Sequence, residues 1–468
     1  MPEIPKGRVL NLTKGSPAGL LLRFCLPLFL GNLLQQCYNL ADLSIAGHIL
    51  GDGALAKIGA TSALYSLITN FAFGLNNGLA LTVSKRFGAG DRDGLKDAVC
   101  WMVIWAALTA GVLTAGFLAL QRPLLFLLQV PGDILSGATS YLTVILAGIP
   151  LTMAYNLEAS LLQAVGNSTT PLLLLLFSSV LNIGLDIWFM GPLSMGVAGA
   201  AIATVLAQGI SAVLGFLYIA RNYPWLRFGR RNLQVPKAFA LGTLGTGLSM
   251  ALMNAIYNIG SVILQGSINA LGQVTITAQV GGRKLIELIC VPGIALGNGV
   301  ATYSSQNAGA GKGRRIARGM WAGVLLYLAW WAVALVLAFG FGKPLVGLVT
   351  GSDAQQVLEN AVLYLRVSVG CMPPMILLVI FRNVLQGLGR PLMPLLCSVL
   401  ELLGKAVFAL FLVPLWGYGA VCACEPVTWV VCAVVIALSL YHHRDKLRGS
   451  WKEHHTENNA LRKENPLC

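Results

Sequence analysis

Twelve apolar stretches occupy most of this 468-residue chain, at roughly 20–46, 58–83, 98–120, 137–164, 171–190, 196–219, 239–269, 274–302, 318–340, 358–386, 393–413 and 418–441. At 1.5 Å per residue, each is long enough as a helix to cross about 30 Å of hydrocarbon. A mean hydropathy of +0.73 and only 11% charged residues agree with that reading. The expected fold is therefore an all-α polytopic membrane protein with twelve transmembrane helices. The segments before, between and after them are polar: 1–19, a basic linker at 220–238 with Arg221, Arg227, Arg230, Arg231 and Lys237, and a charged tail at 442–468.

The two sets of six segments, 20–219 and 239–441, resemble each other at an offset of about 220 residues. Tyr38-Asn39 matches Tyr257-Asn258, and Gly88-Ala89-Gly90 matches Gly309-Ala310-Gly311. Tyr141-Leu142 matches Tyr364-Leu365, and Pro150 matches Pro373. Leu162-Gln163-x-x-Gly166 with Pro171 behind it matches Leu385-Gln386-x-x-Gly389 with Pro394. Chance similarity between apolar helices would not keep register through loops. An even number of helices per copy gives both six-helix lobes the same orientation, a parallel repeat.

The charges set that orientation. Of 32 Lys and Arg, 24 lie in the amino terminus, the loops after even-numbered segments and the carboxyl tail; five lie on the other side, and Arg366, Arg382 and Lys405 fall inside segments. Both termini are expected in the cytoplasm, with the chain in the cell membrane. The net charge of +14 is thereby a matter of topology, and a nucleic-acid partner is not expected. The first apolar stretch has no cleavage-site pattern and reads as a spanning helix rather than a removable signal. The cysteines sit mostly in apolar runs and imply neither a disulfide framework nor a zinc site. No His-Glu-x-x-His, Gly-x-Ser-x-Gly or Walker loop occurs, so neither an enzyme nor ATP-driven transport is expected, and no cofactor.

Within this apolar background, Leu181-Asn182-Ile183-Gly184-Leu185-Asp186 carries an amide and a carboxylate one helical turn apart. An intramembrane carboxylate costs about 2.5 kcal/mol or more near the helix centre, so it faces protein or water. Counting 1.5 Å per residue from the segment ends puts Asp42, Asn182, Asp186 and Thr204 in one slab, roughly 7–14 Å below the outer boundary. Two carboxylates close together in a low-dielectric site cannot both carry charge cheaply; one holds a proton or a cation bridges them. The oxygen ligands of Asp42, Asn182, Asp186 and Thr204 suit Na⁺ as well as H⁺, and the sequence leaves both open.

In its doubled six-helix plan, its Gly-Ala-Gly loops, Leu181-Asn182-x-x-x-Asp186 and Gly196-Val197-Ala198-Gly199-Ala200-Ala201-Ile202-Ala203-Thr204, the chain from Leu20 to about Tyr441 resembles the MATE (multidrug and toxic compound extrusion) transporters. The resemblance implies export of organic, often cationic compounds in exchange for H⁺ or Na⁺ by two rocking lobes. It also implies a cation site at Asp42, Asn182, Asp186 and Thr204 and a bend of the first helix at Pro27. Stripes of polar residues on the first and fourth segments, Gln35 and Asn39, then Asn156 and Gln163 with Met153 beside them, are candidates for a substrate cavity taking cations or amphiphiles. Glu158 is a lesser candidate for an acid facing that cavity.

Where some relatives carry an acid in the tenth segment, this chain has Arg382. Glu401 and Lys405, spaced i,i+4, are expected to neutralise each other, leaving Glu425 as a candidate partner for Arg382. A flippase or exporter of lipid-linked sugars would share the architecture, but should line its cavity with several Arg or Lys, and the first half has only Arg23, at the cytoplasmic start of its first segment. A monomer is expected.

Overall fold

The computed structural model describes residues 9–128, 130–351 and 354–443; the first eight residues and the tail from 444 onward, which belong to the expected polar ends, lie outside them. Among the described residues the chain is all helical. The first half contains α1 (Pro17–Leu50), α2 (Asp52–Ala89), α3 (Arg92–Leu127), α4 (Gly132–Ala147), α5 (Ile149–Ala164), α6 (Thr169–Met190) and α7 (Gly196–Asn222). The second contains α8 (Lys237–Asn269), α9 (Gln273–Gly309), α10 (Gly313–Gly340), α11 (Gly342–Thr350), α12 (Gln355–Gly370), α13 (Met372–Gly387), α14 (Leu392–Val407), α15 (Val413–Trp416) and α16 (Tyr418–His442).

Among the described residues, ten helices are long and apolar enough to span a membrane, and two bent pairs, each taken as one span, bring the number to twelve. The segments expected at 137–164 and 358–386 are those pairs, α4 with α5 bent by 46° and α12 with α13 bent by 53°. Pro150 and Pro373 open the second helix of each pair. Lacking an N–H, each ends the preceding hydrogen-bond ladder and lets the axis turn. The segment expected at 393–413 contains a wide turn over Phe408–Leu412, just before Pro414. The short α11 has no counterpart in the sequence reading.

The repeat extends to the backbone. Gly90 and Gly311 both have φ of 69°, and Gly196 and Gly417 have φ of 60° and 58°. Gly90 closes α2 in the left-handed conformation, where a side chain would be strained, and its N–H caps the Arg86 and Phe87 carbonyls.

Each half has its own apolar core. Leu75, Leu79, Met102, Leu142 and Leu162 lie in the first, and Val300, Tyr303, Tyr327, Leu365 and Ile376 in the second. The long helix α1 belongs to both. Its Leu21, Phe24, Cys25 and Leu28 pack in the core of the second half, whereas Ala46 packs with Ala54, Tyr141 and Ala201 of the first. Pro27 lies inside α1 near this change of allegiance, and the helix runs through it unbroken. Bulky apolar side chains such as Val112, Phe216 and Leu325 stand exposed around the outside, as lipid-facing positions require.

The halves are knitted together at the end of the bundle that carries the amino terminus. Ser84 Oγ donates to the Thr302 carbonyl at 3.2 Å, and Ser305 Oγ to the Leu81 carbonyl at 2.7 Å. The Leu10–Gly15 segment is strapped across this seam. Leu10 N donates to the Gly166 carbonyl at 2.9 Å, and Leu12 N to Gln306 Oε1 at 3.3 Å. Asn307, Lys312 and Arg315 donate to the carbonyls of Leu12, Thr13 and Gly15. Gln306 Nε2 in turn donates to the Ala164 carbonyl at 2.9 Å. Among the described residues, hydrogen bonds between the halves reach from here to Asn254 and the Asn70 carbonyl, about half-way along α2, and not beyond.

Backbone meets backbone at this seam. A Cβ on Gly88 would strike the Gln306 backbone, and one on Gly309 the Lys85 carbonyl. Gly88→Val should therefore cost about 1–3 kcal/mol of the closed arrangement. The check is thiol labelling of Ser84→Cys, which should be slow in the otherwise unaltered protein and several-fold faster when Gly88→Val is added.

Candidate ion and substrate site

Three helices bring the four expected residues together: α1 supplies Asp42, α6 supplies Asn182 and Asp186, and α7 supplies Thr204. Asn182, Asp186 and Thr204 are 1%, 0% and 6% exposed, so α6 turns its polar stripe inward against α7, while Asp42 is half-buried. The Asp42 and Asp186 carboxyls face each other closely enough to share a hydrogen bond. In the amide orientation that satisfies its neighbours, Asn182 donates to Asp186 Oδ2 at 2.8 Å and accepts from the Thr204 N–H at 3.1 Å. Thr204 Oγ1 donates to the Ala200 carbonyl at 3.1 Å, leaving its lone pairs facing the cluster. Oδ1 of each aspartate is buried and accepts no hydrogen bond among the described residues. The cluster thus offers carboxylate, amide and hydroxyl oxygens, a donor set that fits a proton or a hard monovalent cation.

The sequence reading missed the tyrosines around this cluster. The Tyr38 hydroxyl reaches the Thr204 side chain, and Tyr65 and Tyr141 stand in the electrostatic field of Asp42. One signal was available, since Tyr38 lies one turn before Asp42 on the same helix face. Tyr65, on α2, had none.

The proposed cavity residues are more scattered. Gln35 and Asn39 form a stripe on α1, joined by a 3.2 Å hydrogen bond with Asn39 exposed. Asn156 donates to the Thr152 carbonyl of its own helix at 2.9 Å. Met153 is fully buried inside the first half, beside a small pocket lined also by Tyr65, Thr69 and Ile145. Gln163 lines a second pocket, where Asn77 and Ser160 of the first half meet Met250 and Asn298 of the second. Glu158 points at Gly215 of α7, where a Cβ would strike its Oε2, and so faces the interior of the first half.

In the second half the expected pairing of Glu401 with Lys405 is overturned. Glu401 binds Arg382 of α13 at 2.7 Å, and Lys405 binds Glu425 of α16 at 3.5 Å. Residues one turn apart on α14 both point into the lobe, where each meets an opposite charge on a neighbouring helix. The suggested partnership of Arg382 with Glu425 fails for the same reason. Glu287 is paired locally on α9 with Arg283 and Lys284. No group of three or more His, Cys, Asp or Glu able to hold a metal is found among the described residues.

The comparison with known proteins is decided by one match: the family model described as MatE covers residues 27–188 and 249–411, once in each half. The chain belongs to the MATE family. Among relatives, it is 29% identical over 339 residues to the "Probable multidrug resistance protein YpnP" of Bacillus subtilis (strain 168), covering 72% of this chain and 76% of that one. It is 24% identical over 410 residues to the "Probable multidrug resistance protein NorM" of Thermotoga maritima, covering 85% of each. A solved structure described as the "Outward-facing conformation of a multidrug resistance MATE family transporter of the MOP superfamily" superposes with a TM-score of 0.86 at 21% identity. It covers 94% of this chain and 98% of that one, and it speaks for the fold. This MATE chain is a multi-pass membrane protein whose named relatives are described as probable multidrug resistance proteins.

The exchanged ion pairs give a stability test. Breaking a buried pair by removing one partner costs about 3–5 kcal/mol, whereas replacing both by apolar groups is far cheaper. Glu401→Met and Arg382→Met should each lower the unfolding temperature, and the double variant should recover most of the loss. A cycle that instead couples Glu401 to Lys405 would contradict the pairing.

Proposed function

We propose that this chain is a cation-coupled antiporter that exports small organic cations or amphiphiles, drawing H⁺ or Na⁺ inward through the cluster of Asp42, Asn182, Asp186 and Thr204. The observation that carries the reading is the meeting of two intramembrane carboxyls from different helices, each with a buried oxygen that accepts no hydrogen bond among the described residues. No structural requirement of the fold calls for such a pair, and its cost in a low-dielectric setting is met only when a proton or cation joins it.

Asp42 supplies the link to transport because it rides on α1, whose two ends belong to different halves. Occupation of the cluster draws the far half of α1 toward α6 and α7. Release frees it to move relative to its other end, with Pro27, which breaks one backbone hydrogen bond, as the weak point. An ion shifts the balance of the two arrangements only by its difference in affinity for them; moving a 1:99 mixture to 99:1 takes about 5.5 kcal/mol. The substrate is taken between the halves on the polar stripes of α1 and α5, where few charges and many apolar walls accept varied cations and amphiphiles. Multidrug resistance, in the names of YpnP and NorM, is consistent with that breadth.

The working unit is a monomer with lobes at 20–219 and 239–441 and a linker at 220–238. Both termini are in the cytoplasm and the chain sits in the cell membrane. The strapped seam then faces the cytoplasm and the cleft opens outward. Transport is not enzymatic and uses no cofactor.

Everted vesicles supplied with a fluorescent organic cation from outside, with H⁺ and Na⁺ gradients imposed separately, test the proposal. Transport should follow one gradient and collapse when it is dissipated with ATP high. Asp42→Asn and Asp186→Asn should each lower coupled transport at least tenfold with insertion intact, and the double variant should be no worse than either single one. Near-normal transport by Asp186→Asn would remove this site from the mechanism. For topology, single cysteines at Asn232 and His443 should react only with a membrane-permeant reagent in intact cells.

A further inference from the structure

The second half has its own polar cluster at the place where the first half has Asp42, Asn182 and Thr204. Asn182 lies 11 residues after Pro171, and Lys405 lies 11 residues after the matching Pro394. Thr204 lies eight residues after Gly196, and Glu425 eight after Gly417, two glycines with nearly the same φ at the starts of α7 and α16. Tyr38 is followed at i+4 by Asp42, and its match Tyr257 at i+4 by Ser261. The structure brings the second set together as it does the first. Lys405 Nζ donates to Ser261 Oγ at 3.1 Å, stands 3.5 Å from Glu425 Oε1, and lies 3.9 Å from the centre of the Tyr257 ring. Its side chain is 3% exposed.

We infer that Lys405 is a built-in cation: its ammonium holds, in the second half, the place that a transported ion takes in the first, so that the transporter has one exchangeable ion site rather than two. The inference rests on the reading of Asp42 and Asp186 as the coupling site. Carboxylate, hydroxyl and aromatic face are the partners a small cation seeks, and here a covalently held ammonium has all three. A tethered cation cannot leave, so no ion gradient acts on it. The other charged and titratable neighbours do not displace it: Glu401 is engaged by Arg382, Arg283 of α9 is engaged by Glu287, and Tyr364 of α12 lies beside Tyr257. The asymmetry between the halves is thus one of chemistry on a shared plan. Where the first half has Asp42, Asn182, Asp186 and Thr204, the second has Ser261, Lys405, Ala409 and Glu425, one base and one carboxylate in place of two carboxylates.

The test removes the ammonium and asks whether a cation site appears. The unfolding temperature of the purified full chain is followed as NaCl replaces choline chloride at constant ionic strength, and again in steps of pH. In the Asp42→Asn/Asp186→Asn background, addition of Lys405→Asn should create stabilisation by sodium or by acidification that saturates, and further addition of Glu425→Gln should abolish it. Absence of any such dependence in the folded Lys405→Asn protein would overturn the inference. Should that variant not fold, Lys405→Asn with Glu425→Gln in the otherwise unaltered chain decides. With both charges gone, transport should keep the ion dependence of the unaltered protein, and loss of it would show that the pair itself carries the coupled ion. Failure of the coupling-site reading would be visible separately, as an ion dependence that survives Asp42→Asn/Asp186→Asn.

Discussion

A carboxylate placed in hydrocarbon has to be neutralised, and much of the arrangement of this protein is an answer to that requirement. The first half places Asp42 against Asp186, a pair that the proposed mechanism leaves to a mobile ion; the second pairs Glu401 with Arg382 and Glu425 with Lys405, using charges fixed to the chain. Both solutions depend on helices that turn one narrow polar stripe inward while their remaining surface faces lipid or apolar neighbours. The stripes are short because one turn suffices to bring two ligands to the same point.

The fold itself is carried by the seam. α2 and α8 approach through glycines, where Gly74 and Gly78 leave space for the backbone near Met250 and Thr246. Small residues at such crossings let helices meet in a medium that offers no hydrophobic drive between them. Backbones packed this closely give way as a unit rather than by degrees, which is what the proposed rocking of the two halves requires. Helix α1 crosses this boundary and is the physical connection between the Asp42 cluster and the seam.

Much of this was legible in the sequence, and the gaps have physical causes. Span number, the doubled plan and the convergence of Asp42, Asn182, Asp186 and Thr204 follow from hydropathy, offset and rise per residue, all of which are local or additive. Gly148 and Cys371 look unremarkable in the sequence, although the prolines behind them bend two spans there by 46° and 53°. The Glu401 and Lys405 pairing failed because i,i+4 spacing tells which face two residues share but not what neighbouring helices present to that face. Tyr65 was silent because its role depends on the packing of α2 against α4, a contact between spans with no local pattern.

The strap at Leu10–Gly15 has a consequence for how the molecule is made. Leu12 is synthesised 294 residues ahead of its partner Gln306. At ~5–20 residues per second the interval is about 15–60 s. In its later part the helices of the first half, which end at Asn222, have been made but still lack their clasp. The strap can therefore dock only after α9 and the loop behind it have been laid down, so a segment translated ahead of both halves is among the last to find its place. A half-made transporter is in this way left unlatched until its second lobe exists to receive the catch.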